Sequence, residues 1–408
     1  MSTWRQNLFA VTAATFIGFT GFTLVMPFLP LYFVELGVTD VGDIALWSGL
    51  SLGVTPAITA MMAPLWGRLA DRVGRKIMIE RSLISFVIVM SAMAFVTRAW
   101  HIFALRAIQG LFAGYGALAL TMAADVAPRD RMAFAIGTVQ TAQRIGPAVG
   151  PVIGGVVAQL VGLRQAFFVT ATFYVVALVL VFFMYDERGF TARHDAAVAK
   201  PKGRVTFRNV LAFENFMLLI FVVFAFTFVD RSLGPVLPLY IAELGTNLDR
   251  VPIVSGILFS LAAGAGAIGN HLCRALLERA SSRRVIAGAA IAAAVGCLTY
   301  VFAGGTGLLM LGTPILGLGI GAASTAAYTA AGAVIPPEVR GTGFGFLSTG
   351  SLLGLAMSPV ICGLLGTLSL RAVFVLDTSI LVLVGLLVRR LMVTTHVTPT
   401  AAPATEEM

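Results

Sequence analysis

The chain has 408 residues, of which 58% are apolar and only 12% charged, and its mean hydropathy is +0.93. Soluble domains carry about half apolar and about a quarter charged residues, so this composition excludes a water-soluble enzyme or binding domain. The net charge of +9 comes from Lys and Arg spread over short segments between apolar runs. A nucleic-acid-binding protein would gather them on one face, so no nucleic-acid partner is expected.

Uncharged runs of about 20 residues, enough to cross a bilayer core as a helix, recur along the chain. Residues 285–337 carry no charge over 53 positions and would be about 80 Å long as one helix, so they must form two spans. The pattern predicts an all-α membrane protein with twelve transmembrane helices. The predicted spans are 8–33, 45–66, 78–97, 100–123, 133–161, 165–185, 215–241, 251–273, 285–303, 307–333, 341–366 and 371–391.

The basic residues predict the orientation of these spans. With the N-terminus in the cytoplasm, only four of the 28 Lys and Arg residues fall in outer loops and most fall in cytoplasmic segments, as the positive-inside rule requires. Both termini are therefore expected in the cytoplasm. The first apolar run is too long for a signal-peptide core. Because Arg greatly outnumbers Lys, a GC-rich bacterial genome is expected. The spans then predict a multi-pass protein of the bacterial inner membrane.

The chain contains an internal sequence repeat. Residues 27–37 read PFLPLYFVELG, and residues 235–245, 208 positions later, read PVLPLYIAELG. Repeats of six spans return the chain to the same side, so they form parallel repeats about an axis along the membrane normal, with the transport site between them. We expect a six-helix bundle at 1–186, a cytoplasmic linker at 187–213, a second bundle at 214–393 and a disordered cytoplasmic tail at 394–408.

A polar segment between spans 2 and 3 reads GRLADRVGRK. Gly67 and Gly74 permit a tight turn and close backbone approach, and one acid, Asp71, lies among basic residues. This pattern resembles the signature loop of the major facilitator superfamily, G-x-L-a-D-r-x-G-r-k. The resemblance implies that Asp71 faces the N-terminus of span 11 and that Arg75 pairs with Asp125 at the end of span 4. It also implies that these contacts act as a latch which forms in one conformation and breaks in the other.

Spans 4 and 5 carry two further motifs. Residues 105–110 read LRAIQG and are similar to the R-x-x-q-G element of the same family. Span 5 contains GPAVGPVIGG at 146–155, where glycines four residues apart allow a neighbouring helix to approach. Ordinary helix packing would also explain such glycines, but with two prolines on the fifth span they resemble the drug:proton antiporter branch, the bacterial multidrug exporters. The motif residues are Gly146, Pro147, Gly150, Pro151, Gly154 and Gly155.

Four ionisable residues lie well within predicted spans, away from their ends: Arg106, Arg144, Asp230 and Arg231. Each costs about 2.5–3.5 kcal/mol at a helix centre, so they must face one another or a water-filled cavity. Asp230 lies near the midplane, and we predict that it binds the coupling proton; a structural ion pair with Arg106 or Arg144 is the alternative. Arg106 is expected to relay charge to the proton site. Asp377 is expected at the solvated outer rim.

A cavity lined by spans 1, 4, 7 and 10 and their neighbours is expected, with mainly apolar walls. Met and aromatic side chains adapt to varied lipophilic ligands, although such side chains in a membrane helix also face lipid. The candidates are Phe19, Phe22, Met26, Tyr115, Phe226 and Tyr328.

These features predict a secondary active transporter that exports small amphipathic or lipophilic compounds in exchange for protons by alternating access. A transporter of one metabolite, such as a sugar or a siderophore, is the alternative. No enzyme activity, cofactor or metal is expected, because the four histidines are scattered and no H-E-x-x-H or G-x-x-x-x-G-K-[ST] motif occurs. The proton gradient is the expected energy source, and the bilayer, protons and a small molecule are the expected partners of a monomer.

Overall fold

The computed structural model describes residues 3–128, 131–186, 215–335 and 340–393. Over these residues the chain is helical and contains no strand, which confirms the all-α class. The predicted linker at 187–213 and the predicted tail at 394–408 lie outside the described residues.

The first half forms eight helices. These are α1 (Thr3–Leu24), α2 (Leu29–Glu35), α3 (Val41–Val73), α4 (Arg75–Met93), α5 (Ala99–Phe112), α6 (Tyr115–Val126), α7 (Met132–Val161) and α8 (Leu163–Met184).

Six α-helices of 20 to 29 residues make up the described part of the second half. These are α9 (Phe216–Glu243), α10 (Val251–Arg279), α11 (Ser282–Val301), α12 (Thr306–Val334), α13 (Arg340–Gly366) and α14 (Leu370–Leu391). A short 3₁₀ turn at Leu248–Arg250 leads into α10.

Eleven helical stretches of the described chain are long and apolar enough to cross a membrane. The helix α4 is not among them, because Arg75, Lys76, Glu80 and Arg81 place four charges in its first seven residues. It occupies the place of the third predicted span, so the twelve spans are α1 with α2, α3, α4, α5 with α6, and α7 to α14.

The fourth span is broken, although the sequence predicts a continuous helix over 100–123. The break lies at Gly114, whose φ of 125° favours glycine. The carbonyls released at the break find side-chain donors: Trp66 donates to Leu111 O over 2.7 Å and Ser82 to Phe112 O over 2.8 Å. Satisfied carbonyls let a broken helix persist at membrane depth.

The signature segment is mostly helical, which corrects the expected loop. The helix α3 continues through Gly67 to Val73 and packs Ala70 in the interior. Only Gly74 forms the turn, with a φ of 105°. The reason is local, since residues 68–73 contain neither proline nor glycine, and the first glycine after Gly67 is Gly74.

Equivalent contacts recur in the two halves, made by Asn7 and Asn215, which are 208 positions apart. The Asn7 amide donates to Asp186 O over 2.7 Å and accepts from Asp186 N at 3.1 Å. Asn215 makes the same two bonds with the backbone of Val393, each 2.9 Å long. Each asparagine therefore ties the first helix of its half to the end of its last helix, and the repeat extends to hydrogen bonds.

The two halves contact each other at the ends predicted to face outward. A Cβ added at Gly49 of α3 would overlap Pro359 O of α13, and one at Gly256 of α10 would overlap Pro151 O of α7. At the opposite ends, Gly345 of α13 has open space where a side chain would begin. The structure is therefore closed on the predicted outer side.

Candidate transport site

A cavity of about 720 Å³ lies between the two halves. The first half contributes α7, and the second contributes α9, α10, α12 and α13. The lining includes Gly332 and Phe344, which lie near the predicted cytoplasmic ends of α12 and α13. The cavity therefore extends from the membrane interior toward the predicted cytoplasmic side.

An ion pair of neighbouring residues, Asp230 and Arg231, lies in the wall of this cavity. Arg231 Nε is 3.1 Å from Asp230 Oδ2, and the side chains are 32% and 44% exposed for Arg231 and Asp230. That nitrogen lacks a well-aligned hydrogen bond, so the contact is a charge pair at close range. The ion pair with Arg106 or Arg144, expected as the alternative for Asp230, is not among the described contacts.

Arg144 reaches across the cavity from α7 to α10. With the Asn270 amide oriented to satisfy both of its polar atoms, Asn270 Oδ1 accepts from Arg144 Nη1 at 2.7 Å, and Asn270 Nδ2 donates to Gly321 O at 2.7 Å. The guanidinium remains exposed to the cavity. Two arginines and one aspartate thus give the described lining an excess of positive charge.

The cavity is more polar than the sequence predicts, because about half of its lining residues carry polar side chains. These residues lie inside apolar runs, where a hydropathy average hides them. Their helical spacing could have revealed them. Thr325 and Thr329 are four residues apart, so they lie on the same face of α12. The small polar lining residues are Thr227, Asn270, Ser324, Thr325, Thr329 and Ser351.

Of the six predicted aromatic and Met candidates, Phe226 and Tyr328 line the cavity. Phe19 and Tyr115 lie in the packing of the first half, and Met26 lies beside Gly234 of α9, where an added Cβ would be 3.8 Å from Met26 Cε. Tyr115 is 5% exposed, its ring centroid lies 6.1 Å from that of Phe19, and it fills the space beside Gly18. Phe22 and Met26 are half-buried on α1 and in the turn that follows it.

Arg106 lies on α5 and is only 2% exposed. Its Nη1 donates to Gln109 Oε1 over 3.1 Å, while its Nε has no hydrogen-bond partner among the described residues. It is not part of the described cavity lining. The structure therefore separates Arg106 from Arg144, Asp230 and Arg231, which it brings together.

The span 5 motif faces two helices at once. A Cβ at Gly146 would lie 3.0 Å from Phe16 O, and a Cβ at Gly150 or Gly154 would overlap Thr23 Oγ1 or Leu24 O, so these glycines let α1 approach. Gly155 instead faces α10, where its Cβ would overlap Pro252 O.

The prolines of this motif, Pro147 and Pro151, both lie inside α7. Pro147 lines the cavity. In the second half Ser358 takes the place of Gly150, and its hydroxyl donates to Phe228 O of α9 over 2.5 Å.

Arg75 and Asp125 form an ion pair that joins the start of α4 to the end of α6. This is the contact that the family resemblance implies, and it lies within the first half. The side chain of Asp71, and residues 336–339 before α13, lie outside the described part of the structure. The latch role of Gly67, Asp71, Gly74, Arg75 and Asp125 stays a prediction.

Asp377 is a polar residue that the sequence analysis misplaced. Instead of lying at a solvated rim, its side chain is 0% exposed, and its Oδ2 lies 2.5 Å from the Ser232 hydroxyl of α9, within hydrogen-bond distance. Asp377 is only seven residues from the predicted outer end of α14, and its closeness to that end led to the prediction that solvent reaches it. Packing of α9, α11 and α13 around it is not visible in the linear pattern.

Twelve spans in two repeated halves that enclose a charged cavity define a membrane transport protein. The family model described as Major Facilitator Superfamily matches residues 11–316 and 256–407. The chain belongs to the major facilitator superfamily.

Two curated relatives are similar over most of the chain. The "Multi-drug resistance efflux pump PmrA homolog" of Lactococcus lactis is 30% identical over 387 residues, covering 94% of each chain. The "Multidrug resistance protein MdtG" of Proteus mirabilis is 33% identical over 288 residues, covering 70% of each chain.

Solved structures share the fold. A bacterial homolog of the human lysosomal transporter Spinster, in an inward-facing and occupied conformation, matches with a TM-score of 0.79 at 18% identity, covering 96% of this chain and 98% of that one. A D-xylose–proton symporter matches with a TM-score of 0.78 at 13% identity, covering 97% and 99%.

Proposed function

We propose that this protein exports small amphipathic compounds from a bacterial cytoplasm in exchange for protons, by alternating access. The observation that carries the proposal is the charged cavity between two halves whose helices pack closely against each other on the predicted outer side. With both termini in the cytoplasm, this conformation is open inward and ready to receive a cytoplasmic compound. The relatives named as multidrug efflux proteins support the direction of transport.

The cavity chemistry narrows the substrate class. Apolar and aromatic groups such as Phe226 and Tyr328 suit a lipophilic body, while Arg144 and Arg231 outnumber Asp230. An excess of positive charge in a low-dielectric cleft favours neutral or anionic compounds over cations. The proposed substrates are therefore amphipathic molecules with an acidic or hydrogen-bonding group.

Proton exchange would act through the pair of Asp230 and Arg231. Protonation of Asp230 would alternate with occupancy of the cavity by substrate: a proton taken from outside is released to the cytoplasm when a compound binds beside this pair. One proton moving down 100 mV supplies about 2.3 kcal/mol, which sustains a roughly 50-fold gradient of a neutral compound. The site lies within one chain, so a monomer in the inner membrane suffices.

Efflux from whole cells tests the proposal. A host that lacks its own pumps is loaded with an anionic amphipathic dye, carboxyfluorescein, or with the cationic dye ethidium. We expect cells that carry the wild-type protein to lose carboxyfluorescein faster than cells that carry Asp230→Asn. An uncoupler should abolish this difference. Unchanged dye retention and drug susceptibility would contradict export.

A metabolite transporter is the second candidate, because the cavity wall is about half polar. Convergent polar groups are typical of sites that bind one hydrophilic compound. Competition distinguishes the two: a broad set of unrelated amphiphiles should slow dye efflux if the protein is an exporter of many compounds, whereas one class of metabolite should do so in the other case.

A further inference from the structure

The C-terminal half contains a buried carboxyl group away from the cavity. Asp377 of α14 is 0% exposed, and α9, α11 and α13 pack against α14. Ser232 of α9 contacts the carboxyl directly. The titratable groups that face it are the buried thiols of Cys297 on α11 and Cys362 on α13.

No cation compensates this carboxyl among the described residues. On α9 the nearest charged residues, Asp230 and Arg231, pair with each other and line the cavity. Arg371, at the start of α14, donates to Ala303 O over 3.3 Å. A buried carboxylate without a cation or a full set of donors is strongly unfavourable, so an ionised Asp377 does not fit this environment.

The hydrogen-bond count supports a neutral acid. Ser232 Oγ lies 2.5 Å from Asp377 Oδ2 and 2.8 Å from Val229 O. A hydroxyl has a single proton to donate, and a backbone carbonyl can only accept. If Ser232 donates to Val229 O, the proton in the short contact with Asp377 comes from the carboxyl. Asp377 Oδ1, which has no partner in the described structure, is then the carbonyl oxygen of a neutral acid.

We propose that Asp377 is a second proton-binding site of the transport cycle, occupied in this inward-open conformation. The proposal rests on the proposed proton exchange. Seven residues of helix place Asp377 about 10 Å below the outer end of α14, on the side where the halves now touch. A proton would enter from the outer solution when that side opens, and become trapped when it closes.

The helix α9 links this site to the rest of the transporter. It carries Ser232 toward Asp377, Asp230 and Arg231 toward the cavity, and Gly234 toward the opposite half, where Leu52 lies beside it. A movement of the halves, or a substrate bound at Arg231, would therefore change the contact between Ser232 and Asp377. The carboxyl then loses its proton to the cytoplasm. In each cycle the O–H bond of Asp377 forms when the proton enters from outside and breaks when the proton leaves.

Infrared spectroscopy of the full-length protein tests the site without a substrate. Wild type should show the carbonyl band of a protonated carboxyl, and Asp377→Asn should lose it. The matched control is Asp249→Asn, which removes an exposed carboxyl outside the membrane helices and should leave the band intact. A band that is unchanged in Asp377→Asn overturns the proposal.

Transport in liposomes tests the role. Wild type should accumulate carboxyfluorescein against its gradient when a pH gradient is imposed, and Asp377→Asn should lose this accumulation at least tenfold while still exchanging dye across the membrane. Asp377→Glu keeps a titratable carboxyl, so its dye accumulation should still be driven by the pH gradient, with the pH of half-maximal accumulation displaced. This variant replaces Asp377→Asn in the test if the Asn variant fails to fold. Full accumulation by Asp377→Asn overturns this inference alone, whereas no accumulation by wild type overturns the proposed proton exchange as well.

Discussion

Gly155 of α7 and Gly363 of α13 stand 208 positions apart, and each faces the backbone of a helix from the opposite half. A side chain at Gly155 would overlap Pro252 O of α10, and a Cβ at Gly363 would lie 2.7 Å from Ala45 O of α3. The two contacts hold the halves together on the outer side. Pro151 and Pro359, also 208 positions apart, add to this seal through contacts with Gly256 of α10 and Gly49 of α3.

Gly155→Val should shift the protein toward the outward-open conformation. Overpacking costs about 1–3 kcal/mol, which changes a two-state population about 5–150-fold. A cysteine introduced at Ser255, which is buried in this conformation, should then react with an impermeant maleimide from outside. Gly137→Val on the same helix is the control, because Gly137 has open space around it. Equal labelling of both variants would contradict the proposed seal.

Arg144→Gln should weaken binding of anionic compounds about tenfold, because a charge-assisted contact is worth about 1.4 kcal/mol or more. Binding of cationic dyes should improve or stay unchanged. Competition for carboxyfluorescein efflux measures both effects. The control is Arg164→Gln, which removes an exposed partner of Glu35 at 3.1 Å outside the cavity. A parallel loss for anionic and cationic compounds would instead indicate general damage.

The pair of Arg75 and Asp125 should behave as a unit. Arg75→Gln and Asp125→Asn should each slow transport several-fold at unchanged protein level, and the double variant should be no slower than either, since residues of one ion pair are non-additive. The exposed pair Arg274 and Glu278, 3.3 Å apart, is the control and should contribute little. Strictly additive losses would show that the two residues act separately.

Asn7→Ala and Asn215→Ala should both destabilise the protein, by about 1–3 kcal/mol, because each removes two backbone contacts and exposes helix-end groups. Thermal unfolding in detergent should show similar decreases in Tm. Asn247→Ala, which loses one bond in an exposed turn to Asp249 N, should have a smaller effect. If only one of the two variants lowered the Tm, the two asparagine contacts would not be energetically equivalent.

The sequence predicted the positions of the spans well, because long apolar runs and their charged ends depend only on the bilayer. It missed the break at Gly114, since one glycine inside an apolar run carries no distinct signal without its partners Trp66 and Ser82. It also extended the signature loop into what is helix up to Val73.

The site was predicted less completely. The charged cavity residues Arg144, Asp230 and Arg231 stood out because each is costly in a membrane helix. The polar wall on α12 and the burial of Asp377 depend on which helices pack against each other. The hydropathy pattern of one helix does not contain that information. Tyr115 and Phe19 were assigned to the cavity for their chemistry, although Tyr115 fills space beside Gly18 and Phe19 beside Gly116.

The asparagine contacts make each half a closed ring of helices. Since Asn7 bonds to Asp186 and Asn215 to Val393, the described part of each half begins and ends close together in space. Each half should therefore keep its fold if a short linker joins these ends and the chain is opened at a surface turn instead.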